Sequence, residues 1–86
     1  MEDDICPYGK ISSIEMIGKI IRYRRKELKV TQAKVAGLSG VGQRYLSELE
    51  RGKPTIEIGK ALHVLQKLGL EITLAPRSTI SQSVNS

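Results

Sequence analysis

The chain has 86 residues, room for one small domain and not for two. It is 40% hydrophobic and 27% charged, carries a net charge of +5, and has three Tyr as its only aromatics, so any core is aliphatic and small. A single Cys (Cys6) and a single His (His63) exclude a disulfide framework and a metal cluster, and no apolar run approaches the roughly 18 residues of a membrane span.

The acidic start Glu2-Asp3-Asp4 has the wrong sign for a signal peptide, so a soluble, cytoplasmic protein is expected. Residues 1–11 include Pro7 and Gly9, lack periodicity and read as a flexible arm. Residues 12–69 read as the folded domain. Ser12, followed by Glu15 and flanked by Ile11 and Met16, has the form of a capping box with a hydrophobic staple. The first helix is expected to run to about Lys29, with Ile14, Ile17, Ile21 and Leu28 on one stripe and Lys19, Arg22, Lys26 and Lys29 on other faces.

Thr31 then caps a short second helix carrying Gln32, Ala33, Val35 and Ala36. Three glycines between Gly37 and Gly42 demand a turn. A third helix runs from Gln43 to about Arg51, turns Leu46 and Leu49 inward and is closed by Gly52. Past Lys53-Pro54, Thr55 is expected to cap a fourth helix whose stripe is Ile58, Ala61, Leu62, Leu65 and Leu68, with Gly69 at its end.

At residues 70–75 the period changes from helical to alternating. Leu70, Ile72 and Leu74 point one way and Glu71 and Thr73 the other, as in a half-buried strand. A lone short strand needs a ladder, and the chain offers no second one. The economical solution is pairing with the same strand of another copy around a two-fold axis, giving a homodimer; an irregular apolar tail is the alternative. Residues 76–86 are polar and serine-rich and read as a disordered tail. Its Ser78, Thr79, Ser81 and Ser83 are kinase-modifiable in principle, Cys6 reads as an incidental thiol, and His63 as a core or rim histidine.

Charge is unevenly distributed. Residues 19–53 hold ten Lys and Arg against Glu27, Glu48 and Glu50, a net of +7, which leaves −2 for the rest of the +5 total. Such concentration suits a polyanion-binding face, although basic helices also serve solubility. The segment Thr31–Gly52 sharpens the choice. Two short helices joined by a tight turn, with small Ala36 at their crossing and Gly40 four residues on, have helix-turn-helix spacing, in which the second helix of the pair enters the DNA major groove. Gln43, Arg44 and Ser47 open that helix. Gln pairs with adenine and Arg with guanine in bidentate fashion, and Ser serves either. Gln32 at a helix start, Tyr45 and Lys53 are candidates for phosphate contacts. Arg22 and Lys26 lie either near the DNA backbone or on a solvated face.

Thr31-Gln32, Ala36, Gly40-Val41 and Leu46-x-x-Leu49-Glu50-x-Gly52 together resemble the Cro and lambda-repressor (XRE) helix-turn-helix family across residues 13–69. Ser47 to Thr55, the Leu-rich helix, Gly69-Leu70 and the terminal strand resemble HipB-type antitoxins in particular. The resemblance implies an all-α, lambda-repressor-like four-helix domain with a short C-terminal β-strand pairing across a homodimer. It also implies a palindromic double-stranded operator and a HipA-type serine/threonine kinase toxin as partners. Base contacts then fall to Gln43, Arg44 and Ser47, and Arg25 and Glu50 align with a family ion pair. One departure is Gly42, where the family usually has Ser or Thr. No nucleophile–base pair, phosphate-cradling loop or metal cluster suggests an enzyme, and no cofactor is expected. A stand-alone XRE repressor or restriction-modification controller without a toxin has the same DNA chemistry.

Overall fold

The structure is a computed structural model that describes residues 7–77. The expectations for Cys6, for residues 1–6 of the arm and for Ser78, Thr79, Ser81 and Ser83 of the tail lie outside the described residues. Four helices follow in order: α1 (Ile14–Glu27), α2 (Gln32–Ser39), α3 (Gln43–Glu50) and α4 (Ile58–Lys67). α1 packs on α3 and α4, and α2 packs on the same two, so the short helices share one core.

Helix α1 begins one residue later than the capping-box reading places it. Ser13, not Ser12, is the N-cap and accepts from the Met16 amide at 3.2 Å, while both the amide and hydroxyl of Ser12 point at Met16 Sδ. Ile17 and Ile21 are buried as the stripe requires, but Ile20 is buried too and Leu28 is exposed. The buried sector is wider than one stripe because α1 lies between two helices, and Leu28 falls past the helix end.

Each helix closes on a residue in the left-handed region: Lys29, Gly40, Gly52 and Gly69. In each case the next amide reaches back five residues, from Val30 to Arg25, Val41 to Ala36, Lys53 to Glu48 and Leu70 to Leu65, at 3.0–3.1 Å. This satisfies carbonyls that the helix end leaves open.

The fourth helix departs most from its expected form. Thr55 does not cap it; Glu57 is the N-cap, without a side-chain bond, and the helix starts at Ile58. Ile56 packs against the core from non-helical backbone, so the chain has to leave the Pro54-Thr55 turn and seat Ile56 before it can coil. The buried face is accordingly rotated to Ala61, Val64, Leu65 and Leu68, and Ile58 and Leu62 are left exposed.

Residues 71–77 form no strand among the described residues. Leu70 packs against the core, whereas Ile72 is half-exposed and Leu74 almost fully so. An open groove between this segment and α4 is lined by Leu62, His63, Gln66, Leu70 and Ile72, which makes His63 an exposed rim residue rather than a core one.

The arm is docked where it can be described. Tyr8 stacks edge-on against Tyr23 at 5.4 Å, and its hydroxyl donates to Glu27 Oε1 at 2.8 Å. Burial and that carboxylate push the Tyr8 pKa up to about 12. Glu27 also meets Arg24, whose Nε donates to the Leu68 carbonyl at the end of α4 at 2.9 Å.

Candidate nucleic-acid interface

Helices α2 and α3 are joined by Gly40-Val41-Gly42. Gly40, at φ 70° and ψ 26°, turns the chain where an L side chain would be strained. Thr31 anchors the start of α2, its hydroxyl accepting from the Lys34 amide at 3.1 Å. Val35 and Ala36 on α2 and Leu46 and Leu49 on α3 are buried, with Val41 packed against them. Ala36 is small where the two helices meet, and the apolar side of α3 is taken up by α2 and α1 together. Its polar side is therefore left to solvent.

A buried ion pair fixes α3 from behind. Glu50 accepts from Arg25 Nε at 2.7 Å and from Nη2 at 3.0 Å, and Arg25 Nη1 donates to the Val30 carbonyl at 3.0 Å. Hydrogen bonding to Glu50 raises the Arg25 pKa against the opposing effect of burial. Glu50's side chain is 2% exposed, so removing Arg25 would strand a buried charge at a cost of about 3–5 kcal/mol. Arg25 is thus structural, tying the end of α1 to the end of α3.

Gln43 and Arg44 occupy the first turn of α3, both exposed, and the Arg44 side chain is 92% exposed. Ser47, one turn on, is half-buried. Lys53 follows α3 directly, with about half its side chain exposed. These four share the outer side of α3 and its exit. Gln32 is half-buried, its side-chain amide donating to Glu50 Oε1 at 3.1 Å, which sets it beside the buried pair at the start of α2.

Tyr45 is engaged within the domain. Its hydroxyl donates its one proton to the Glu57 carbonyl at 2.7 Å, and Lys60 lies 5.5 Å over its ring. Burial, with Glu57 adding to it, raises its pKa. Tyr45 thus ties α3 to the loop before α4.

Two features of the site escape the sequence reading. Glu48 lies between the cations of the outer side, its Oε2 at 3.5 Å from Arg44 Nε and its Oε1 at 3.4 Å from Lys53 Nζ. The i,i+4 spacing of Arg44 and Glu48 is the signal that could have found it. Gly18 on α1 is the other. A Cβ there would strike the Leu49 carbonyl, so glycine is what lets α1 approach α3 this closely.

The sequence pattern of the helix-turn-helix family (HTH_3) matches residues 21–74, more than half of the chain. The chain belongs to the helix-turn-helix family. This helix-turn-helix chain is 52% identical over 61 residues to the uncharacterized HTH-type transcriptional regulator y4mF of Sinorhizobium fredii (strain NBRC 101917 / NGR234), covering 70% of the chain and 80% of the relative. It is 35% identical over 63 residues to the uncharacterized HTH-type transcriptional regulator y4dL of the same strain, covering 73% of the chain but 32% of that longer protein. Its fold is similar to solved structures of HipB. A HipB–O4 20mer complex and a HipA–HipB–O2–O3 complex each give a TM-score of 0.72 at 25% identity, covering 79% of this chain and 96% of theirs. The helix-turn-helix chain is a DNA-binding transcriptional regulator of the XRE type with a HipB-like fold. No helix among the described residues is long and apolar enough to cross a membrane, and they contain no cluster of metal-ligating side chains.

Proposed function

We propose that the chain is a non-enzymatic antitoxin and autorepressor of a HipBA-type operon, binding a palindromic operator as a homodimer and associating with a HipA-type kinase toxin. The observation that carries the DNA-reading part is the first turn of α3. There Gln43 and the 92%-exposed Arg44 project from a helix whose other side is locked by buried Leu46, Leu49 and Glu50. A rigid helix with solvent-exposed hydrogen-bonding side chains at its start suits direct readout of base edges, with Ser47 one turn further in. Lys53 and the start of α2 at Gln32 suit the flanking phosphates.

The homodimer reading draws on Leu70, Ile72 and Leu74, which continue past α4 with Leu70 against the core, Ile72 and Leu74 exposed, and no ladder among the described residues. A two-fold pairing there would set two α3 helices about 34 Å apart, one duplex turn. The toxin partnership draws on likeness to HipB, which occurs with HipA in one of the similar structures. The relatives from Sinorhizobium fredii carry regulator names, which favours a second reading: a stand-alone repressor with the same DNA chemistry.

Footprinting the chain's own promoter and co-purifying the product of the adjacent reading frame tests both. Arg44→Ala should weaken binding to the promoter site by about 1–3 kcal/mol and binding to random duplex by clearly less. Lys53→Ala should weaken both and reduce the salt slope by about 1. Equal losses on both DNAs for Arg44→Ala would overturn base reading by that residue. Recovery of no kinase-like partner would leave the stand-alone reading.

A further inference from the structure

Glu48 is the one acidic side chain on the outer side of α3, and its carboxylate is shared between the two cations the DNA-reading role relies on. Both contacts are to solvent-facing groups, so they add little to folding stability. Their consequence lies in binding. A carboxylate between Arg44 and Lys53 repels any phosphate that approaches either cation and partly neutralises both before DNA arrives. Random duplex offers only that phosphate attraction, so it meets the full penalty. At a fitting site the same carboxylate has a compensating use: it braces the long Arg44 side chain from one turn along the helix, holding the guanidinium for two parallel bonds to a guanine edge.

We propose that Glu48 is a specificity-determining residue that suppresses binding to random DNA while orienting Arg44 on the operator; this rests on the DNA-reading role proposed above. The backbone supports the arrangement. The Lys53 amide donates to the Glu48 carbonyl at 3.1 Å, so the chain's exit from α3 carries Lys53 back to the carboxylate. The residue is half-buried at the side chain, which limits how far the carboxylate can swing from its two partners.

The test compares wild type, Glu48→Gln and Glu15→Gln on the promoter fragment and on a random duplex of equal length, across a salt series. Glu15→Gln makes the same charge change on an exposed residue of α1 that lies against Gly52 but bridges neither Arg44 nor Lys53, and so reports the effect of a nearby charge without the Glu48 bridge. Glu48→Gln should bind random duplex about tenfold more tightly, with its slope against log salt steeper by about 0.9 as one more phosphate is neutralised. Promoter affinity should change by less than about threefold, because the added attraction is offset by a less ordered Arg44, so the specificity ratio falls. Thermal melting of Glu48→Gln should match wild type. A specificity ratio unchanged in Glu48→Gln, or lowered equally by Glu15→Gln, overturns the proposal. Wild type that does not distinguish promoter from random duplex removes the DNA-reading role itself, and the proposal with it.

Discussion

Gly18 marks the closest approach of α1 to α3, and what stands opposite it is backbone. The neighbour is the Leu49 carbonyl, which cannot rotate aside as a flexible side chain would, so an added methyl has to push two helices apart. Those helices also share the Arg25–Glu50 pair, whose 2.7 and 3.0 Å bonds depend on the same spacing. Gly18→Ala should therefore destabilise the domain by about 1–3 kcal/mol, although alanine is the better helix former by about 1 kcal/mol. Urea unfolding measures it; a gain in stability would show that the helices are free to separate. Nothing local in the sequence singles out Gly18, because the atom it accommodates lies 31 residues away in the chain. Arg25 and Glu50 were legible for a different reason: a family resemblance supplied the pairing, which charge and spacing alone do not specify.

The helices themselves follow local rules, and their limits show where such rules stop. Thr31 and Gly40 delimit α2 as capping chemistry requires, and Gly52 and Gly69 end α3 and α4. Lys29 closes α1 in the same left-handed conformation at φ 59°, with no glycine to announce it. The start of α4 was misread because Thr55 satisfies the capping preference while Ile56 satisfies the core, and burial of Ile56 prevails. Helix α3 is the opposite case, correctly bounded but poorly capped. Gly42 has the extended N-cap conformation, φ −72° and ψ 149°, makes no side-chain bond, and a Cβ added there meets nothing within 4 Å. Gly42→Ser should fit without strain, supply a hydroxyl to an open amide of α3 and restrict the unfolded chain. A gain of about 0.5–1 kcal/mol in thermal or urea unfolding is expected. A loss would mean that the turn needs glycine for a reason other than φ.

At the scale of the molecule, part of the exposed apolar surface, Leu62 and Ile72, gathers in one groove at the α4 end. Ile58 and Leu62 were expected in the core and are instead 47% and 45% exposed, and Ile72 and Leu74 follow at 44% and 95%. The groove between α4 and residues 70–73 brings Leu62 and Ile72 to one opening. The helical period of α4 alone could not separate a face turned to the core from one turned to a second chain, since both are apolar. That is why the stripe was misassigned. If this end is covered by a second copy, a charge at Ile72 penalises the dimer and spares the monomer, whose core does not include that side chain. Ile72→Asp should leave helical circular dichroism intact while sedimentation shifts from dimer to monomer at micromolar concentration. Promoter binding should then fall far more than random-DNA binding, because each α3 must find its half-site independently and the second contact is no longer an intramolecular one. A dimer that persists with Ile72→Asp would place the two-fold contact elsewhere on the molecule and return residues 70–75 to the role of an apolar tail.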